Sequence, residues 1–126
     1  MNQDIPQSPY SEKFIQDRKD EIEKHREKVL SKLKELAVYD EGEGAWKARG
    51  VEYDEGDSES PEDESVEAAE TIDRQGQVNS LKKELEEMDA ALERIEKGTY
   101  GWDSEKEKYI AKERLKVYPT AARSIT

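Results

Sequence analysis

The sequence predicts an all-α fold whose main element is a long antiparallel two-helix coiled-coil hairpin, and three observations predict it. Leu81, Leu85, Met88, Leu92 and Ile95 alternate spacings of four and three, which lays one apolar seam along a helix. Earlier in the chain Ile15, Ile22, Val29 and Leu36 recur every seven residues, and Leu30 and Leu33 widen that stripe towards its end. Apolar residues make up 33% of the 126 and charged residues 42%, a poor recipe for a thick globular core. Two long helices sharing a thin seam fit that balance.

Taken in order, residues 1–10 read as a polar leader in which Pro6 and Pro9 favour extended backbone. The first helix is predicted over about 11–38. Its early seam is weak, because Lys19 and Arg26 fall at core positions, where their stems can pack while their charges stay in water. The pattern then breaks. Between residues 40 and 64 eleven side chains are acidic and two are basic, so this stretch carries most of the net charge of −11. Its four glycines and Pro61 predict an irregular acidic loop over 40–60, with Trp46, Val51 and Tyr53 as isolated apolar anchors.

The second helix is predicted over about 61–97, the two helices and their loop forming one helical-hairpin unit over 11–97. Pro61 suits a first helical turn, Ser60 precedes it as a cap, and Glu62, Asp63 and Glu64 complement the positive helix end. Val66, Ala69 and Ile72 open its apolar stripe. Arg74 and Gly76 interrupt the stripe and predict a loosened middle before Val78 and Leu81 resume it. Lys97 followed by Gly98 stops the helix. Beyond it, Ser104-Glu105-Lys106-Glu107 matches a capping box, and Ala111, Leu115 and Tyr118 share a helical face. Together they predict a short helix over 104–117.

Composition excludes several function classes. There is no cysteine, so no disulfide and no thiolate metal site. His25 is the one histidine, flanked by Lys24 and Arg26, and reads as solvent-facing. No apolar run approaches a membrane span, and the start MNQDIPQSPY lacks a signal peptide's basic and apolar regions, so a cytoplasmic location without membrane contact is expected. A net charge of −11 argues against direct nucleic-acid binding. No calcium loop starts at Asp40 or Asp54, and a glycine-rich acidic loop gives paired carboxylates no pocket. No catalytic residue, and no enzyme, is expected.

Gly98-Thr99-Tyr100-Gly101, followed by Arg114-Leu115 and Pro119-Thr120-Ala121, resembles the DksA/TraR family of bacterial RNA-polymerase-binding transcription regulators. The likeness covers 81–123 well and 52–70 more loosely. In that family a long helix leads through such residues into a zinc finger of C-x2-C…C-x2-C type. Placing the finger by these landmarks puts the first three ligand positions at Asp103, Lys106 and Ser124. Lysine has no lone pair to give, serine is a poor zinc ligand, and one carboxylate cannot hold a structural zinc alone. Residues 98–126 are therefore expected to be a degenerate finger that lacks the family's zinc, and no other cofactor is expected.

The resemblance also implies a partner and a site. It implies that RNA polymerase is bound and that an acidic coiled-coil tip is inserted into its secondary channel. The residues assigned to that tip are Asp54, Glu55, Asp57, Glu62 and Asp63. Pro61 and Asp63 match the proline and second aspartate of the family's tip motif, whereas Ser60 and Ser65 replace its first aspartate and alanine. Two plainer readings stand beside this one. The loop is a solvated stretch that keeps the protein soluble, or the chain is a metal-free coiled-coil adaptor that no longer binds polymerase.

Overall fold

The computed structural model describes residues 5–49 and 61–125, with side chains described throughout except at 61–67. In order the elements are α1 (Glu12–Leu36), β1 (Ala37–Asp40), β2 (Ala45–Ala48), α2 (Pro61–Lys97), β3 (Trp102–Asp103), β4 (Lys108–Tyr109) and α3 (Lys112–Val117). The long helix pair α1 and α2 dominates. Two antiparallel β-hairpins, β1–β2 and β3–β4, correct the all-α expectation. The chain divides into two units, Met1–Glu27 with Leu85–Thr126 and Lys28–Glu84, and the two long helices contribute to both. Among the described residues no helix is long and apolar enough to cross a membrane.

In the Lys28–Glu84 unit, Val29, Leu33, Ala37 and Val78 are buried. Helix α1 ends at Leu36 and passes directly into β1, and β2 lies where the acidic loop was expected to be irregular. The strands pair Val38 with Lys47 and Tyr39 with Trp46, and the Tyr39 and Trp46 rings meet edge to face at 5.3 Å. Asp40 makes the turn: its Oδ1 accepts from the Gly42 N–H (2.9 Å) and the Glu43 N–H (3.2 Å). Gly44 takes the left-handed backbone position at φ 66° and donates its N–H back to the Asp40 carbonyl. The Lys47 ammonium lies 2.9 Å from Glu43 and 3.5 Å from Asp40. The N–H groups of Glu43 and Gly42, with Lys47, hold the Asp40 carboxyl below its ordinary value.

Helix α2 runs through Gly76 unbroken. Of the residues expected to open its apolar stripe, Ala69 is exposed and Ile72 is 73% exposed, while the side chain of Val66 lies outside those described. Arg74, which with Gly76 interrupts the stripe in sequence, and its neighbour Gln75 instead satisfy the second strand and the residue after it. Gln75 Oε1 accepts from the Ala48 N–H at 3.2 Å, and Arg74 Nη1 donates to the Arg49 carbonyl at 2.7 Å.

In the other unit Ser11 caps α1, its hydroxyl accepting from the Phe14 N–H. The helices run antiparallel there: Ile15 lines one groove with Leu92 and Ile95, while Arg26 bonds Asp89 at 2.6 Å. Helix α2 closes on Gly98 (φ 78°) through bonds from Gly98 N to the Ile95 carbonyl and from Thr99 N to the Arg94 carbonyl.

The expected helix over 104–117 is only partly present, since α3 covers Lys112–Val117. The stretch before it is a hairpin, with Trp102 opposite Tyr109 and Asp103 opposite Lys108. The capping-box pattern loses because the Asp103 side chain, one residue earlier, already takes the N–H groups of Glu105 and Lys106. The leader joins this unit. Tyr10 is buried, stacked on Phe14 and edge-on to Tyr100 and Tyr109. Its hydroxyl donates to the Ile110 carbonyl, and the Tyr109 hydroxyl donates to the Pro6 carbonyl.

Candidate functional site

Two groups of residues were singled out by the sequence, an acidic tip and the positions where the family resemblance would place zinc ligands. Of the tip residues, Asp54, Glu55 and Asp57 lie outside the described residues. Glu62 and Asp63 stand in the first turn of α2, after Pro61, where their side chains are not described. Acidic residues there suit the positive end of a helix.

The ligand positions are brought together. Asp103 is fully buried, and both of its carboxylate oxygens are engaged. Oδ1 accepts from the Glu105 N–H at 3.0 Å and the Lys106 N–H at 3.2 Å, and Oδ2 accepts from the Ser124 N–H at 2.7 Å. The Lys106 ammonium donates to the Ser124 carbonyl at 2.7 Å. Outside this cluster Arg123 lies 3.3 Å from Glu105, and Arg114 Nε donates to the Arg123 carbonyl. The Ser124 N–H above all, then those of Lys106 and Glu105 and the nearby Arg123 charge, hold the Asp103 carboxyl below its ordinary value.

These residues do not fit a zinc ion. The one carboxylate spends both oxygens on backbone donors, and an ammonium occupies a second ligand position. Among the described residues no group of three or more His, Cys, Asp or Glu is placed to hold a metal.

The landmark residues that located the finger also touch one another. The Tyr100 hydroxyl donates to the Pro119 carbonyl at 2.7 Å, and Arg94 Nη2 donates to the Thr120 carbonyl at 3.3 Å. Leu115 and Ala121 are buried. Tyr118, after α3, donates to Glu87 of α2. Burial pushes the Tyr10 hydroxyl up to about 12, and the Tyr100 hydroxyl is raised for the same reason. Sequence reasoning missed Tyr10 altogether. The available signal was a tyrosine and a phenylalanine four residues apart, straddling a helix start.

No family model matches the sequence, and neither does any curated protein. The fold does match a solved structure, that of transcription factor DksA2 from Pseudomonas aeruginosa. The two superpose with a TM-score of 0.66 at 23% sequence identity, over 95% of this chain and 84% of that one. The chain has a DksA-like fold. Within that fold Tyr100 of the GTYG landmark bonds Pro119 of the PTA landmark, Leu115 of the RL landmark is buried, and Asp103, Lys106 and Ser124 converge in the same unit.

The depressed Asp103 carboxyl gives this unit an acid limit. A carboxylate with a lowered folded-state pKa adds stability that is complete above the unfolded value of about 3.9 and is lost as pH falls through the folded value. Wild-type near-UV circular dichroism is therefore expected to collapse at a higher pH than a sum of exposed carboxylates predicts, and Asp103→Asn should lose part of that acid dependence. Identical acid transitions in the two proteins would exclude Asp103 as its source.

Proposed function

We propose that this chain is a DksA-like regulator of transcription that binds RNA polymerase and presents Asp54, Glu55, Asp57, Glu62 and Asp63 to the secondary channel. The observation that supports this reading is the fold shared with transcription factor DksA2. Charge agrees with it. Eleven carboxylates between residues 40 and 64 suit a basic protein channel, whereas a net charge of −11 opposes direct contact with nucleic-acid phosphates. The action is non-enzymatic, by occupation rather than chemistry.

The test is retention of bacterial core RNA polymerase on the immobilised full chain, against a variant with the five acidic residues changed to alanine. Wild type should retain polymerase, the variant should retain markedly less, and added salt should weaken the wild-type interaction. Failure of the wild type to retain polymerase would sink this reading and leave the coiled-coil adaptor in its place.

A further inference from the structure

We propose that Asp103 and Lys106 form a metal-replacing lock, a carboxylate and an ammonium that join the β3–β4 turn to the segment at Ser124, so that the finger keeps its fold with no metal ion. A zinc knuckle gathers its loops by placing a cation at the centre with anionic ligands around it. Here the polarity is reversed. An anion is at the centre, and three backbone N–H groups from two separate segments point inward at it. The cation has moved to the side, where the Lys106 ammonium closes on the Ser124 carbonyl.

The two bonds at Ser124 use both of its backbone polar groups, the N–H towards Asp103 and the carbonyl towards Lys106. One residue of the C-terminal segment is thereby fixed from both sides by the turn. That is the mechanical task of the second ligand pair in a metal knuckle. Charge-assisted hydrogen bonds are strong enough for it: the Asp103 carboxylate is buried and accepts three N–H groups, and the exposed Lys106 ammonium adds a part-buried bond at the rim. The same unit also has a buried core: Tyr100, Ile110 and Leu115 are all 2% exposed or less. Packing therefore supplies the bulk of the stability, and the lock supplies the register. The proposal does not depend on polymerase binding.

Amide hydrogen exchange on the full chain tests it, with elemental analysis of protein purified in the presence of zinc. Wild type should carry no stoichiometric metal, and a chelator should leave exchange at Glu105, Lys106 and Ser124 unchanged. Asp103→Asn, which keeps the size but turns an amide N–H towards that of Ser124 or Lys106, should speed Ser124 exchange about tenfold or more. Should that variant lose the finger outright, Lys106→Met carries the test. It keeps the Lys106 N–H on Asp103, removes the ammonium's bond to the Ser124 carbonyl, and should speed Ser124 exchange severalfold. The Ile110 amide, bonded to the Gly101 carbonyl at 2.7 Å, should stay protected. Stoichiometric zinc in the wild type, faster exchange on chelation, or unchanged Ser124 exchange in Lys106→Met would each overturn the lock.

Discussion

Gly101→Ala is expected to unseat Tyr10 and to cost the unit that carries the finger about 3 kcal/mol or more. Gly101 sits at φ 81°, a backbone conformation that costs an alanine about 1–2 kcal/mol. An added Cβ would also land on the Tyr10 ring. That ring is the hub of the aromatic cluster, touching Phe14, Tyr100 and Tyr109, and it cannot yield without exposing them. Thermal unfolding followed by near-UV circular dichroism measures the loss. A spectrophotometric tyrosine titration identifies its cause, because the Tyr10 hydroxyl, held at about 12, should return towards 10 once the ring is exposed. The sign is that of a raised acid: its contribution is complete below the unfolded value near 10 and lost as pH rises through the folded one. Tyr10→Ala should remove most of the effect of Gly101→Ala, leaving mainly the backbone cost. Unaltered stability with an unaltered titration would show that the ring moves aside freely.

What the sequence disclosed and what it hid follow a physical line. Helix ends are local chemistry. The Ser11 hydroxyl on the Phe14 N–H, Pro61 in a first turn and Gly98 after Lys97 act within a few residues of themselves, so they can be read without knowing the fold. The heptad stripes are likewise one-dimensional, and the helix pair they predict is present. The hairpin β1–β2 was hidden by its own turn. Asp40, Gly42 and Gly44 signal irregular backbone when counted, yet flanked by Val38-Tyr39 and Trp46 they are what a short hairpin loop needs. At 104–107 two local signals competed, and the Asp103 carboxylate won because Ser124, 21 residues away, fixes its other oxygen. Apart from Phe14, Tyr10 depends on distant partners, bonding Ile110 100 positions along the chain, so a local window shows only its spacing to that phenylalanine. Of the candidate site, the landmark spacing was enough to bring Asp103, Lys106 and Ser124 onto one list. Their bonding was not legible, since it runs through backbone N–H groups that a sequence does not display.

The same distinction predicts a sharp contrast within the Lys28–Glu84 unit. Leu33→Ala should cost about 2–5 kcal/mol, because the side chain is 0% exposed and its removal leaves a cavity. Ile72→Ala should cost no more than about 0.5 kcal/mol, because 73% of that residue already meets water. Sequence periodicity alone ranks them the other way, with Ile72 on the opening stripe and Leu33 a late widening. The reason lies in what α2 faces. Six residues before Val78 is about 240° around the helix from it, so Ile72 falls off the packed side. The residues that do continue the face of Val78 are Thr71, Arg74 and Gln75, all partly buried. They are polar because part of what they meet is no apolar helix: the N–H of Ala48 needs an acceptor there and the carbonyl of Arg49 a donor. The seam thus changes from aliphatic to hydrogen-bonding as its partner changes from helix to strand. Denaturant unfolding read from Trp46, in a Trp102→Phe background so that only this unit reports, distinguishes the two substitutions. Comparable losses for both would put Ile72 back in the core and undo this account of why Arg74 interrupts the stripe.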